Sequence, residues 1–228
     1  MENMTTLDML FIIDATGSMA PVIAGVKRHI QDLVDKIQAD ETNSTIRLGL
    51  VAYRDYDDNP MYETYPFSED VQAFRDFLTN LRAMGGGDEA EDVLTGFEVA
   101  TQMNWESQAR MVVHFADAPC HGIDYHRGCV SDTYKQGDKY GRTSSSLLSH
   151  LKDGCMVNTY QFMHLNHKTA DMIRKFKDEV ANADWFLEGH LEMSRMDLMT
   201  DHLYQGSISS ICRSRVLSDD TVMTQVPL

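Results

Sequence analysis

Two apolar runs of strand length each stop abruptly on an aspartate, and no other feature constrains this chain as much. Leu7 to Ile13 ends at Asp14, and Arg110 to Ala116 ends at Asp117. After Asp14, hydroxyls follow at alternate positions, Thr16 and Ser18. Val22, Val26, Ile30, Leu33, Val34 and Ile37 then recur at three- and four-residue spacings, which predicts a helix over 22–37. Buried strand, acid, two hydroxyls and helix together gather hard oxygen ligands at the carboxyl edge of a sheet. Hard oxygens suit Mg²⁺, Mn²⁺ or Ca²⁺ and not soft metals.

The same alternation runs through the chain. Strands are predicted at Ile46–Tyr53, Tyr62–Phe67, Met156–Phe162 and Trp185–Leu187, and helices at Val71–Leu81, Ala90–Met103, Ser144–Lys152, Thr169–Val180 and Met196–Cys212. Pro66 marks Tyr62–Phe67 as an edge strand, since proline cannot donate to a central ladder. The fold expected is a doubly wound α/β domain: a mostly parallel sheet with helices on both faces and one antiparallel edge strand. One domain is expected over 1–217, with 218–228 as a C-terminal tail. The stretch 119–141, rich in Gly, His, Asp and Tyr, is predicted to be an irregular cover.

The formal charge is −15, from 20 Lys and Arg against 35 Asp and Glu. Nucleic acid and anionic membranes both require a basic face, so both are excluded as expected partners. Cations and basic protein partners fit this balance better. The opening residues carry no basic segment, and the first apolar run is too short for a secretory signal or a membrane span. Cys120, Cys129, Cys155 and Cys212 are sparse and irregularly spaced, which reads as reduced thiols in a cytoplasmic protein.

Three segments are expected to converge at the carboxyl edge. They are Asp14-Ala-Thr16-Gly-Ser18, the loop Gly85-Gly86-Gly87-Asp88-Glu89, and Ala116-Asp117-Ala118-Pro119. Taken singly, each acid has a plainer role: Asp14, Ser18 and Asp88 as helix caps, Asp117 as a turn initiator. Taken together, several acids at buried strand ends repel one another, and a divalent cation removes that conflict. The triple glycine lets the second loop approach such an ion without side-chain clashes.

Other constellations are weaker. Cys120-His121 and His126-x-x-Cys129 offer zinc-type ligands at a spacing too long for a structural zinc site. His114 lies inside a β-like run and reads as a satisfied sheet residue. Arg54-Asp55-Tyr56-Asp57-Asp58 reads as a solvated acidic turn, with Asp55 alternatively bonded beside Arg54 or lining the rim of the site. A nucleophile elbow and a phosphate-binding P-loop are absent, and Thr16 stands where a haloacid dehalogenase-type phosphatase needs its second acid. No catalytic residue is assigned, and the chain is expected not to be an enzyme.

Asp14-x-Thr16-x-Ser18 after a hydrophobic strand, a Gly-rich second loop and Asp117 after a later strand resemble the von Willebrand factor type A domain with its metal-ion-dependent adhesion site. Asp14–Met19, Tyr53-Arg54-Asp55, Gly86–Val93 and Ala116–Gly122 are similar in particular to the type A domains joined to atypical alpha-kinases. The resemblance covers roughly residues 7–187. It implies a Rossmann-like fold and an ion, Mg²⁺ with Mn²⁺ or Ca²⁺ as alternatives, held by Asp14, Thr16, Ser18, Asp88 at the fourth position and Asp117 at the fifth. Many adhesive members carry threonine at the fourth position. With Asp14, Asp88 and Asp117 around a divalent ion, three negative charges face two positive ones, so capture of a partner's carboxylate is weakened.

The expected function is a cation-dependent protein-interaction module that binds a partner's oxygen ligand through the metal edge. Two alternatives are a regulatory or scaffold subunit for a separately encoded alpha-kinase, with a structural metal, and a Mg²⁺-dependent phosphoester hydrolase. The oligomeric state is not legible.

Overall fold

The computed structural model describes residues 5–41, 44–128, 130–180 and 183–223. Its centre is a six-stranded sheet in the order β3-β2-β1-β4-β5-β6. The strands are β1 (Thr5–Asp14), β2 (Ser44–Tyr53), β3 (Tyr62–Ser68), β4 (Ala109–Ala116), β5 (Thr159–His164) and β6 (Phe186–His190). All neighbours pair in parallel except β3, which runs antiparallel to β2 at one edge. The β2–β3 register shifts between Leu48 and Leu50, so Pro66 falls in an interruption where no ladder donor is required.

Among the described residues six α-helices cover the sheet: α1 (Ala20–Asp40), α2 (Val71–Asn80), α3 (Val93–Thr101), α4 (Ser144–Ser149), α5 (Ala170–Glu179) and α6 (Met199–Met223). The two-residue period of β1 decides which layer each side chain joins. Leu7, Met9, Phe11 and Ile13 pack with α1, α2 and α6, whereas Leu10 and Ile12 pack with α3, α5 and the segment after α4. Gly96 lets α3 lie close to the sheet. A Cβ there would stand 2.7 Å from Tyr53 Cδ1 and 3.2 Å from Ile12 Cγ2.

Among the element boundaries that differ from the sequence reading, three matter most. Asp92, not Asp88, caps α3 by accepting from Thr95 N at 3.0 Å, so the helix begins at Val93 rather than Ala90. The strand expected at Met156–Phe162 begins three residues later, because Met156 takes a positive φ of 54° that breaks the extended run. The last helix continues to Met223, through residues assigned to a tail from 218 onward.

The strand order makes the position of the acids meaningful. From β1 the chain winds outward through β2 and β3, then crosses to β4 and winds the other way through β5 and β6. The carboxyl ends of β1 and β4 therefore flank the topological switch point, where open α/β sheets leave a crevice. Asp14 closes β1, Asp117 directly follows β4, and Ile13 pairs with Phe115 between them.

Candidate metal centre at the sheet edge

Asp14 is fully buried. Its Oδ1 accepts from Thr16 N at 2.8 Å and from Thr16 Oγ1 at 2.7 Å, a turn that the alternating acid and hydroxyl encode. Its Oδ2 is buried with no hydrogen-bond partner. Burial pushes the Asp14 carboxyl up to about 7; the Thr16 hydrogen bonds and Arg54 oppose that rise, and the charge of Asp117 adds to it. An orphaned buried oxygen of this kind costs free energy until something positive reaches it.

The second loop is tied to the first through its backbone. Gly17 N donates to Gly85 O at 3.5 Å, and Met84 N donates to Ala15 O at 2.9 Å. Gly85 and Gly86 both have φ of +86°, which an L side chain rarely adopts. A Cβ on Gly86 would lie 3.0 Å from Glu91 Oε1 and 3.4 Å from Thr16 Cβ, so this backbone threads between the two.

Glu91 is the residue that the sequence reading missed. It is 4% exposed, and its Oε2 has no partner. Burial pushes its carboxyl up to about 10, reinforced by Asp14, then Asp55, Asp58 and Asp88. Its backbone N donates to Pro119 O at 2.9 Å and it bridges to Cys120, which joins the second and third loops. The available signal was an acid between Ala90 and Val93, in a stretch that is otherwise buried from Ala90 to Phe97.

The remaining expected ligands are placed unevenly. Asp117 is half-buried, acts electrostatically on Asp14, and its backbone carbonyl accepts from Asn166 Nδ2 at 2.7 Å. Ser18 is exposed on the single 3₁₀ turn Gly17–Met19, and no side-chain cap bond is made there. Asp88 is half-buried; its Oδ2 accepts from Thr133 N at 2.5 Å and its Oδ1 is buried without a partner. One carboxylate oxygen of Asp88 lies within 4.8 Å of ligand atoms on Asp55 and His121, so Asp88 faces a second cluster.

No arginine joins Asp14 to Asp117 among the described residues. Arg54 is fully buried, but its guanidinium donates to Pro60 O at 3.1 Å, and to Glu63 Oε1 and Arg82 O at 2.7 Å. The Arg54–Asp58 segment is therefore more than a solvated turn. Asp55 Oδ1 lies 2.7 Å from His121 Nε2, and Tyr56 stacks on the His121 ring with centroids 4.8 Å apart.

His121 and His126 both contact Asp132, at 2.8 Å and 3.0 Å. Burial pushes the His121 imidazolium toward neutrality, but the Asp55 and Asp132 carboxylates outweigh it and raise its pKa. Burial also opposes ionisation of Asp132, yet its hydrogen bonds from His121, Gly122, His126 and Tyr134 lower it to about 2. Cys120 is buried, and burial, reinforced by nearby carboxylates, pushes its thiol well up. Cys129 lies outside the described residues, as does that half of the zinc reading. His114 is a satisfied sheet residue, 3.1 Å from Tyr53 Oη and 2.6 Å from Tyr160 Oη.

A family model described as the von Willebrand factor A domain matches residues 8–134, more than half of the chain. The chain belongs to the von Willebrand factor A domain family. It is 36% identical over 175 residues to alpha-protein kinase vwkA of Dictyostelium discoideum, covering 76% of this chain and 27% of that protein. It is 30% identical over 134 residues to a putative ariadne-like RING finger protein, R811, of Acanthamoeba polyphaga mimivirus, covering 59% of this chain and 13% of that protein. The chain thus spans about a quarter or less of these relatives. Among solved structures, the pilus adhesin SpaC from Lactobacillus rhamnosus GG superimposes with a TM-score of 0.61 at 14% identity, over 92% of this chain and 31% of the adhesin. The SpRpn10 VWA domain gives a TM-score of 0.57 at 14% identity, over 87% of this chain and 94% of that one. No helix among the described residues is long and apolar enough to cross a membrane.

Proposed function

We propose that this von Willebrand factor A domain is a cytoplasmic, divalent-cation-dependent protein-interaction module without catalytic activity of its own. The observation that carries the reading is Asp14: fully buried at the switch point, with one oxygen held by Thr16 and the other unpartnered. Asp14, Thr16, Ser18 and Asp117, with Asp88 at the family's fourth position, would hold Mg²⁺, with Mn²⁺ or Ca²⁺ as alternatives. Glu91, facing the same centre, joins them in this reading. Once bound, the ion supplies a positive point that neutralises these carboxylates and presents an open coordination position to a partner's oxygen.

The donor set shapes the partner. Asp14, Asp88 and Asp117 outnumber the charge on the ion, and ionised Glu91 increases the excess. A strongly acidic partner is therefore disfavoured, and a neutral oxygen such as a backbone carbonyl is the better match. The test is calorimetric titration of metal-free protein with Mg²⁺, Mn²⁺ and Ca²⁺, beside Asp14→Ala. Saturable binding by the wild type that disappears in the variant supports the reading; no binding at millimolar ion overturns it. A second reading, a scaffold for an alpha-kinase, is favoured by the similarity to an alpha-protein kinase. It predicts partner capture that chelator leaves intact.

A further inference from the structure

The geometry points to a second metal site, separate from Asp14 itself and meeting the proposed Asp14 centre only at Asp88, that takes a borderline transition ion of the Zn²⁺ type on His121, Asp55 and Asp88. Each of the three residues offers one ligand atom, and these atoms all lie within 4.8 Å of one another. One imidazole nitrogen with carboxylate oxygens suits Zn²⁺ and its neighbours, whereas the Asp14 centre holds only hard oxygens. The two sites therefore select ions by different chemistry.

Three further observations support a built site. Asp88 Oδ1 is buried and has no partner, while its Oδ2 is anchored by Thr133 N at 2.5 Å. The far nitrogen of His121 is clamped: Nδ1 lies 2.8 Å from Asp132 Oδ1, and Asp132 is itself fixed by Gly122 N at 2.8 Å and Tyr134 N at 2.7 Å. A carboxylate behind a histidine is the usual support for a metal-ligating imidazole, because it sets the tautomer and aims Nε2 at the ion. Stacking on Tyr56, at an interplanar angle of 18°, and the edge of Tyr134 hold the ring plane.

Space is also present. A cavity of about 210 Å³ is lined by Asp55, Asp57, Asp58, Asp88 and Tyr134, among others, and opens beside the cluster. It has room for water to complete a tetrahedral shell. His121 Nε2 and Asp55 Oδ1 lie 2.7 Å apart, and an ion bound here would replace this direct contact.

The experiment uses Co²⁺ as a spectroscopic stand-in for Zn²⁺ on the whole chain. The wild type should show a solvent-exchangeable, hyperfine-shifted imidazole N–H resonance, from Nδ1–H held by Asp132, and Zn²⁺ should abolish it stoichiometrically. The Asp14→Ala protein should keep the signal, since the first centre contains no imidazole. His121→Gln should lose it while retaining Mg²⁺ binding, and Asp132→Asn should weaken Zn²⁺ by roughly 10–100-fold. No such resonance in Co²⁺-loaded wild type, or Zn²⁺ affinity unchanged in folded His121→Gln, overturns the proposal. If His121→Gln does not fold, the wild-type resonance alone decides. Loss of Mg²⁺ binding alone counts against the Asp14 centre and leaves this site standing.

Discussion

Arg142 Nη2 lies 2.8 Å from Asp92 Oδ1, which pins the irregular cover to the residue that caps α3. The same guanidinium reaches Thr95 Oγ1 at 2.7 Å, Glu98 Oε2 at 2.9 Å and Asp138 Oδ1 at 2.6 Å. Asp92 is 1% exposed, so removing the arginine strands a buried carboxylate. Arg142→Ala should cost about 3 kcal/mol in urea unfolding. Arg142→Lys should recover only part of this, since one ammonium cannot reproduce the fork. An unchanged midpoint would show that the cover contributes nothing to α3.

Asp14 should destabilise the metal-free protein as pH rises. Its carboxyl is pushed up to about 7 from an unperturbed 3.8, so the folded state holds a proton that the unfolded state has already lost. Stability therefore falls as pH rises between these two values. Relative to wild type in chelator, Asp14→Asn should become more stable from pH 5 to pH 8 by up to roughly 3 kcal/mol. Saturating Mg²⁺ should erase that advantage. A difference between the two proteins that does not vary with pH would refute the origin assigned here.

His114 acts with the opposite sign. Burial depresses its imidazolium to about 3 from 6.5, so the unfolded chain takes up a proton that the folded one refuses. Its contribution is fully present above the unfolded value and drains away as pH falls toward 3. Chemical unfolding between pH 7 and pH 4 should show a steeper loss for wild type than for His114→Gln, with a slope difference near 1.4 kcal/mol per pH unit.

Gly96→Ala should push α3 away from the sheet. The added methyl meets Tyr53 Cδ1 at 2.7 Å in a packed layer, a clash that typically costs about 1–3 kcal/mol. Glu91 and the Asp92 cap lie just ahead of α3, so ion affinity at the Asp14 centre should fall as well. Parallel thermal melts and Mg²⁺ titrations would separate the two effects; weaker binding without a change in melting would place the damage in the loop alone.

The first part of the candidate site is legible in the sequence because it is local. Asp14 and Thr16 are two residues apart, and their hydrogen bonds need only the turn that ends β1. Asp117 follows from the same logic at the end of β4. Glu91 was hidden because its importance comes from burial under Gly86 and against the third loop, not from spacing. The partner of Asp55 is hidden for the same reason: His121 is 66 residues away, so sequence places Asp55 on a turn or at the site rim without naming what it meets.

Periodicity within each segment determined the alternation of strands and helices, the face each apolar side chain turns inward, and the acids that terminate β1 and β4. Those are properties of neighbouring residues, set by backbone geometry and hydrophobic burial. Only the tertiary structure decided which carboxylates share a neighbourhood. Placing β1 between β2 and β4 brings the loops after β2, before α3 and after β4 to one edge, and Coulomb repulsion among their acids depends on that placement. It is why Asp88 faces His121 and why Glu91 is pressed toward Asp14.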